Sequence, residues 1–183
     1  MSTVTTPGIL TIAEFDALPE DDERLFELHE GELVEMTFPV SLHSRLQRRI
    51  AKLLEMKLGT LGEVDIELPF QVANVPRQTK RRADIAFVTH ERWSQVPWNR
   101  LVEGVPDLIV EVVSPSNSVP KLNRDARFFL ANGAREFWVV DPETQTISVR
   151  RQDHTSREYE PGDTIPLCFG EGSLAVADVF QGL

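Results

Sequence analysis

Two acidic residues lie within short apolar segments that are typical of buried β-strands. Asp84 precedes the apolar residues 85–88, and Glu111 interrupts the apolar run of residues 108–113. Both segments are rich in β-branched residues and too short for typical helices. Burying a carboxylate is costly unless it is paired or binds a metal ion. The two residues therefore indicate one shared site. The alternative is that Asp84 caps a strand end and Glu111 pairs with an arginine.

The segments around these carboxylates predict one α/β (α+β) domain spanning residues 1–183, with a mixed sheet and a flexible N-terminus over residues 1–10. Helices are predicted after the capping box that begins at Thr11, from Ser41 to Gly59, and over residues 119–132. Strands are predicted at residues 25–28, 32–36, 64–72, 83–88, 108–113, 136–140 and 147–151, followed by a terminal strand and short helix within residues 174–180.

The cysteine content and the lengths of the apolar runs indicate which classes of protein to expect. The 183 residues include one cysteine, Cys168, which excludes an intramolecular disulfide and fits a cytoplasmic protein. Cys168 is expected to be a buried filler rather than a nucleophile. No apolar run is long enough to span a membrane, so no membrane partner is expected.

The net charge of −10 argues against a polyanionic partner, but the charge is unevenly distributed. Residues 1–36 hold ten acidic side chains and one basic one, which leaves 18 basic and 19 acidic side chains in the rest of the chain. Two basic clusters stand out: Arg45, Arg48, Arg49 and Lys52, and Arg77, Lys80, Arg81 and Arg82. A nucleic-acid surface and a solvated face both remain open for these clusters.

Six motifs occur in order along the chain and carry a resemblance to a known family. They are Glu27-Leu28, Gly31-Glu32-Leu33, Ser41 with His43, and the segments 82–88, 106–116 and 132–142. Together they resemble the putative restriction endonuclease family, abundant in cyanobacteria, of the PD-(D/E)XK nuclease-like superfamily. The resemblance covers roughly residues 11–181. It implies a restriction-endonuclease-like mixed β-sheet flanked by helices.

The resemblance also implies a metal-dependent phosphodiesterase. Asp84, Glu111 and the backbone carbonyl of Val112 would bind Mg²⁺, or Mn²⁺ in its place, because these ions prefer oxygen ligands. The ion would polarise the scissile phosphate and lower the pKa of a bound water. A DNA endonuclease is the leading interpretation, and a homodimer is expected because cutting both strands takes two active sites. A catalytically weak or inactive nucleic-acid-binding or regulatory module on the same fold is the alternative.

The chain departs from the family pattern at the motif lysine. The superfamily places a lysine two residues after the glutamate, where this chain has Val113. The family replaces it with a lysine in the following helix, at the position occupied here by Asp125, while Lys121 lies one turn earlier. Two interpretations remain open. Lys121 and Asp125 form a local ion pair, or Lys121 reaches the phosphate and orients the attacking water.

Further candidates each have a functional and a structural interpretation. The resemblance suggests that His43 acts in the site, whereas a histidine at a helix start is also compatible with an exposed side chain. Glu27 is either a third acidic group at the metal or an edge-strand acid in an acidic segment. Arg81 and Arg82 suit contacts with phosphate, although solvent exposure is the expected state for both.

Overall fold

The structure is a computed structural model that describes residues 8–19, 21, 23–36, 41–114 and 118–182. Most of the N-terminus that was expected to be flexible, residues 1–7, lies outside this part, as do residues 115–117. Within the described part, Leu10 is buried and its N–H donates to the carbonyl of Gly31 at 2.8 Å, so the expected flexibility does not extend to Leu10.

Five helices and eleven strands are present in the described ranges. The helices are α1 (Ile12–Asp16), α2 (Ser41–Leu58), α3 (His90–Trp93), α4 (Val119–Ala131) and α5 (Val176–Phe180). The strands are β1 (Leu25–His29), β2 (Glu32–Met36), β3 (Gly62–Val72), β4 (Thr79–Thr89), β5 (Val102–Glu103), β6 (Leu108–Val112), β7 (Glu136–Asp141), β8 (Thr146–Arg151), β9 (Ser156–Tyr159), β10 (Thr164–Pro166) and β11 (Ser173–Ala175).

Nine of these strands form one mixed sheet. The order is β2-β1-β4-β6-β7-β8-β9, and β3 pairs with β4 and with β5. β6 and β7 are parallel and are connected through α4, whereas β4 runs antiparallel to β1, β3 and β6. The predicted fold class, a mixed sheet flanked by helices, is confirmed.

Two apolar layers cover the sheet. On one face α2 packs Leu46, Ile50 and Leu54 against β4 and β6 within one core cluster that also includes α5. On the other face Ala126 and Phe129 of α4 belong to a second cluster. Among the helices of the described ranges, none is long and apolar enough to cross a membrane.

Two different strands, β1 and β6, pair with the same edge of β4 and leave a gap between them. β3 pairs with β4 along one edge, while the other edge is shared by β1, which pairs at Lys80, and by β6, which pairs at residues 85–87. Between these two points no strand of the described chain pairs with residues 81–84 on that edge. We call this gap between β1 and β6 the fork.

Side chains complete the hydrogen bonding in the fork. The Arg82 N–H donates to Glu27 Oε1 at 2.8 Å, and the Val112 N–H donates to Asp84 Oδ2 at 2.7 Å. Buried backbone N–H groups need partners, and here carboxylates replace the missing strand carbonyls. The fold thus gathers acidic side chains at the point where two strands separate.

Candidate active site

Asp84 lies at the centre of the fork and is contacted from α2. His43 Nε2 lies 3.2 Å from Asp84 Oδ1, and Gln47 Nε2 donates to the same oxygen at 3.2 Å. His43 and Gln47 are four residues apart and therefore share one face of the helix. Both are buried, so the predicted exposed alternative for His43 is wrong. Burial would lower the pKa of His43, but Asp84 outweighs burial and raises it.

Glu67 joins Asp84 from β3. The register pairs Ile66 with Ile85 and Leu68 with Ala83, so Glu67 lies across from Asp84. The φ angle of Glu67 is 55°, in the left-handed region, which costs a non-glycine residue on the order of 1–3 kcal/mol and tends to occur at functional sites. The side chain is exposed overall, but partial desolvation of its carboxylate, together with the charge of Asp84, raises the pKa of Glu67, although Gln47 donates to Glu67 Oε1 at 2.6 Å.

A buried arginine organises the other side of the fork. Arg81 Nη1 lies 2.9 Å from Asp125 Oδ1, and Arg81 Nη2 lies 3.7 Å from Glu111 Oε1. Its Nε is 4.0 Å from Glu27 Oε2, and its guanidinium stacks 4.8 Å from the centre of the Phe129 ring. The expectation that Arg81 is exposed is wrong, because three carboxylates compensate its charge in the interior. Arg82 is exposed as expected.

Glu111 is buried, and its Oε1 has no hydrogen-bond partner. Burial and then the charge of Asp84 raise the pKa of Glu111 well above its ordinary value, although Arg81 opposes the shift. The pairing of β4 with β6 ends at Ile85 and Val110, and Asp84 and Glu111 are the next residue of each strand beyond that point. The two strand carboxylates thus lie close enough for the charge of Asp84 to act on Glu111, and Glu111 also pairs with an arginine, as the alternative interpretation predicted.

Glu27 is buried rather than exposed at an edge. Its Oε2 lies 2.7 Å from His29 Nε2, and its Oε1 accepts from Arg82. Burial would raise the pKa of Glu27, but His29 and Arg81 outweigh burial and lower it. Glu27 is thus an interior acid whose Oε2 also lies 4.0 Å from Arg81 Nε.

The helix pair Lys121 and Asp125 is only loosely associated. Lys121 Nζ lies 4.0 Å from Asp125 Oδ2, an oxygen with no hydrogen-bond partner, while Arg81 is the closer cation. Lys121 also opposes the upward shift in the pKa of Glu111. The ammonium group thus lies within electrostatic reach of both the helix acid and the strand glutamate, and both interpretations of Lys121 remain open.

The structure brings all the candidate side chains into one region. Asp84 contacts His43, and Arg81 connects Glu27 with Glu111, while Lys121 borders the same group. Val112 contributes its N–H to Asp84, and its carbonyl remains a prediction as a metal ligand. The group fits a divalent ion, because it is rich in hard carboxylate oxygens and one of them, Glu111 Oε1, is buried without a hydrogen-bond donor.

Sequence reasoning missed Gln47 and Glu67 as members of the site. Gln47 follows Leu46 on the buried face of α2, and its spacing from His43 was the available signal. Glu67 continues the alternation of Glu63 and Asp65, which is typical of an exposed strand face. Nothing in that alternation distinguishes Glu67 from its neighbours.

Comparison with known proteins places the chain among nuclease-like proteins. The family model Uma2, described as "Putative restriction endonuclease", matches residues 12–177. A crystal structure of a putative nuclease belonging to DUF820 from Anabaena variabilis ATCC 29413 is similar, with a TM-score of 0.79 and 24% sequence identity. The match covers 94% of this chain and 98% of that chain, and at this identity it shows the shared fold. No curated protein matches the chain.

Proposed function

This chain belongs to the Uma2 putative restriction endonuclease family, as its motifs predicted, and we propose that it is a divalent-metal-dependent endonuclease that hydrolyses phosphodiester bonds of DNA. One observation carries the proposal. Asp84 and Glu111 are the first residues beyond the point where β4 and β6 separate, the charge of Asp84 acts on Glu111, and Glu111 Oε1 is buried without a hydrogen-bond partner. A fold supports many functions, so the function is inferred from the residues of this site.

Asp84, Glu111 and the carbonyl of Val112 would hold Mg²⁺ or Mn²⁺. When bound, the ion polarises the scissile phosphate and lowers the pKa of a water. Arg81 Nη2 lies 3.7 Å from Glu111 Oε1, where its charge acts on Glu111 without a hydrogen bond, and Arg81 Nη1 donates to Asp125. Arg81 therefore acts on the site through the charge of Glu111, as a positioning residue.

Two further side chains are placed to act on the substrate. Lys121 Nζ is partly exposed at the border of the site, so its flexible ammonium group can contact a phosphate oxygen. His43 can hold a proton at Nε2, the atom that faces Asp84. Glu27 acts at longer range by keeping Arg81 in place.

The basic residues of α2 support a nucleic-acid substrate. Arg45, Arg48 and Lys52 are exposed on the helix that also carries His43 into the site. Arg49 is engaged elsewhere, because its guanidinium donates to the carbonyls of Val179 and Gln181. The free guanidinium and ammonium groups suit phosphate contacts, which supply most sequence-independent affinity for DNA.

A homodimer forms part of this proposal, since a double-strand cut takes two sites. Sedimentation velocity with the full chain measures the oligomeric state. A dimer supports double-strand cutting, and a monomer restricts the proposal to nicking.

A second candidate function is a nucleic-acid-binding module with little or no cleavage. The position of Arg81 favours this second function, because the charge of Arg81 is already compensated by Asp125 and Glu111. Lys121 Nζ, in addition, lies 4.0 Å from Asp125 Oδ2. Such a site could bind metal and DNA yet activate water poorly.

Nicking of supercoiled plasmid with Mg²⁺ or Mn²⁺ tests the two candidates. Asp84→Asn is compared with the wild type and with Glu143→Gln, a control at an exposed turn acid. We expect Asp84→Asn to lose about 100-fold or more in rate, as when a group that stabilises transition-state charge is removed. Equal nicking by all three proteins would overturn the nuclease assignment.

Absence of nicking by every variant, together with retarded migration of DNA on a gel, would favour the binding module. Where the wild type does nick DNA, Lys121→Ala separates the two interpretations of Lys121. A loss of rate with unchanged stability assigns Lys121 to the substrate, and an unchanged rate leaves it as the partner of Asp125.

A further inference from the structure

We propose that the fork holds a divalent cation on the α2 side of Asp84, bound by His43, Glu67 and Asp84, and that this position takes a first-row transition ion such as Mn²⁺ in preference to Mg²⁺. The inference deepens the proposed function, on which it rests through the shared Asp84. It adds ligands and a class of metal that the carboxylate pair alone does not specify.

The three side chains converge closely enough to share an ion. One nitrogen of His43 and one oxygen each of Glu67 and Asp84 all lie within 4.8 Å of one another. An ion with ligands at about 2.1 Å keeps opposite ligand atoms about 4.2 Å apart, so small side-chain adjustments suffice. His43 is buried, Asp84 is half-buried and Glu67 is exposed, which leaves a route from solvent.

Gln47 can complete the ligand set. Its side-chain nitrogen donates to both Glu67 and Asp84, and thereby supplies positive charge density between the two carboxylates. A half-turn of the amide exchanges nitrogen for oxygen. Gln47 can therefore bridge the two carboxylates through its amide nitrogen, and it can offer its amide oxygen to an ion that binds there.

Unsatisfied buried atoms beside the cluster support a cation at this position. His43 Nδ1 is buried with no hydrogen-bond partner, so no hydrogen bond fixes the tautomer, and Nε2 can give up the proton that it holds toward Asp84 when an ion binds. On the neighbouring strand, the buried Glu111 Oε1 also lacks a partner. A purely structural ion pair between His43 and Asp84 does not explain these unsatisfied atoms.

The imidazole determines the class of metal. Carboxylate, carbonyl and water ligands suit Mg²⁺ and Mn²⁺, whereas an imidazole nitrogen favours first-row transition ions. A mixed set of one nitrogen and several oxygens is therefore expected to select Mn²⁺ over Mg²⁺. A site formed by Asp84, Glu111 and Val112 alone has no such preference.

Titration of the full chain with MnCl₂, followed by calorimetry and by pulsed electron paramagnetic resonance, tests the inference. We expect bound Mn²⁺ to show coupling to an imidazole nitrogen. His43→Gln should remove this coupling, and His43→Gln and Glu67→Gln should each weaken binding by about 10-fold or more. His90→Gln, at an exposed histidine on α3, is the control that should change neither.

Glu111→Gln distinguishes this position from the one in the proposed function. If Glu111→Gln retains the nitrogen-coupled Mn²⁺ while losing nicking, the two ligand groups are separate. Binding that Glu111→Gln abolishes and that His43→Gln and Glu67→Gln leave unchanged would overturn the inference and keep the proposed function. Failure of the wild type to bind Mn²⁺ would overturn both. If Glu67→Gln unfolds at the same temperature as the wild type, its weaker Mn²⁺ binding is not caused by a loss of folding.

Discussion

Replacing Arg81 with methionine should destabilise the protein strongly. Arg81 is 5% exposed and has carboxylate oxygens of Asp125, Glu111 and Glu27 within 4.0 Å. Methionine retains an apolar stem against Phe129 but removes the charge. Removing one partner of a buried ion pair costs about 3–5 kcal/mol, because the remaining charge stays buried without compensation. For a protein of this size, that corresponds to a fall of about 6–20 °C in Tm.

The loss should depend on pH, and its sign follows from the two glutamates. Arg81 lowers the pKa of Glu27, which contributes stability above its unfolded pKa that disappears as pH falls. The pKa of Glu111 is raised, so the folded state takes up a proton more readily than the unfolded state and loses stability as pH rises. Without Arg81, both pKa values move upward. The deficit of Arg81→Met should therefore be larger at about pH 8 than at about pH 5.

Urea denaturation at the two pH values measures this effect. Arg82→Met, one residue away and exposed, is the matched control and should change stability by less than about 0.5 kcal/mol. Asp125→Asn in the Arg81→Met background should recover part of the loss, since it removes one uncompensated charge. A deficit below about 1 kcal/mol that is equal at both pH values would refute the assignment of Arg81 as the compensating charge.

Three other changes have defined outcomes. Gly62→Ala should lower the midpoint of urea unfolding, because the new Cβ would lie 2.2 Å from the Val88 carbonyl oxygen. The expected loss in the free energy of unfolding is about 1–3 kcal/mol. An unchanged midpoint would show that β3 can shift to accommodate the Cβ. Burial raises the pKa of the Cys168 thiol to about 12, so iodoacetamide should label this cysteine slowly at neutral pH. Labelling as fast as that of free cysteine would contradict this burial. Trp98 is 96% exposed and Trp93 is half-buried, whereas Trp138 is fully buried, so acrylamide should quench mainly Trp98. Trp98→Phe should remove the largest part of the quenchable emission, and quenching equal to that of the wild type would contradict the exposure.

The elements that could be predicted are those with one clear periodicity. The apolar run of residues 108–113 gave β6, and the helical spacing from Ser41 to Gly59 gave α2. β4 begins four residues before its predicted start at Ala83, because its first residues are mostly charged, although Thr79 and Arg81 point inward. β9 was missed, since only Tyr159 of that strand is buried.

The site was predictable to the extent that its residues departed from their surroundings. Asp84 and Glu111 are acids in apolar strands, and this conflict identified them. The interior position of Arg81 depends on acids contributed by β1, β6 and α4, which are distant in sequence. No local pattern contains that information, because the compensation exists only after the chain has folded.

The fork leaves the β1–β2 hairpin attached to the rest of the sheet at few points. The turn of the hairpin is anchored where the Gly31 N–H donates to the Gln78 carbonyl at 2.8 Å, and β1 pairs with β4 only at Leu28. Beyond that point, the hydrogen bond from the Arg82 N–H to Glu27 Oε1 links the hairpin to β4. Protonation of Glu27 should weaken this hydrogen bond, and the outer end of the hairpin is then expected to separate from β4 without loss of a ladder hydrogen bond between the described strands. The exchange rate of the Arg82 amide proton with solvent should report how often this separation occurs.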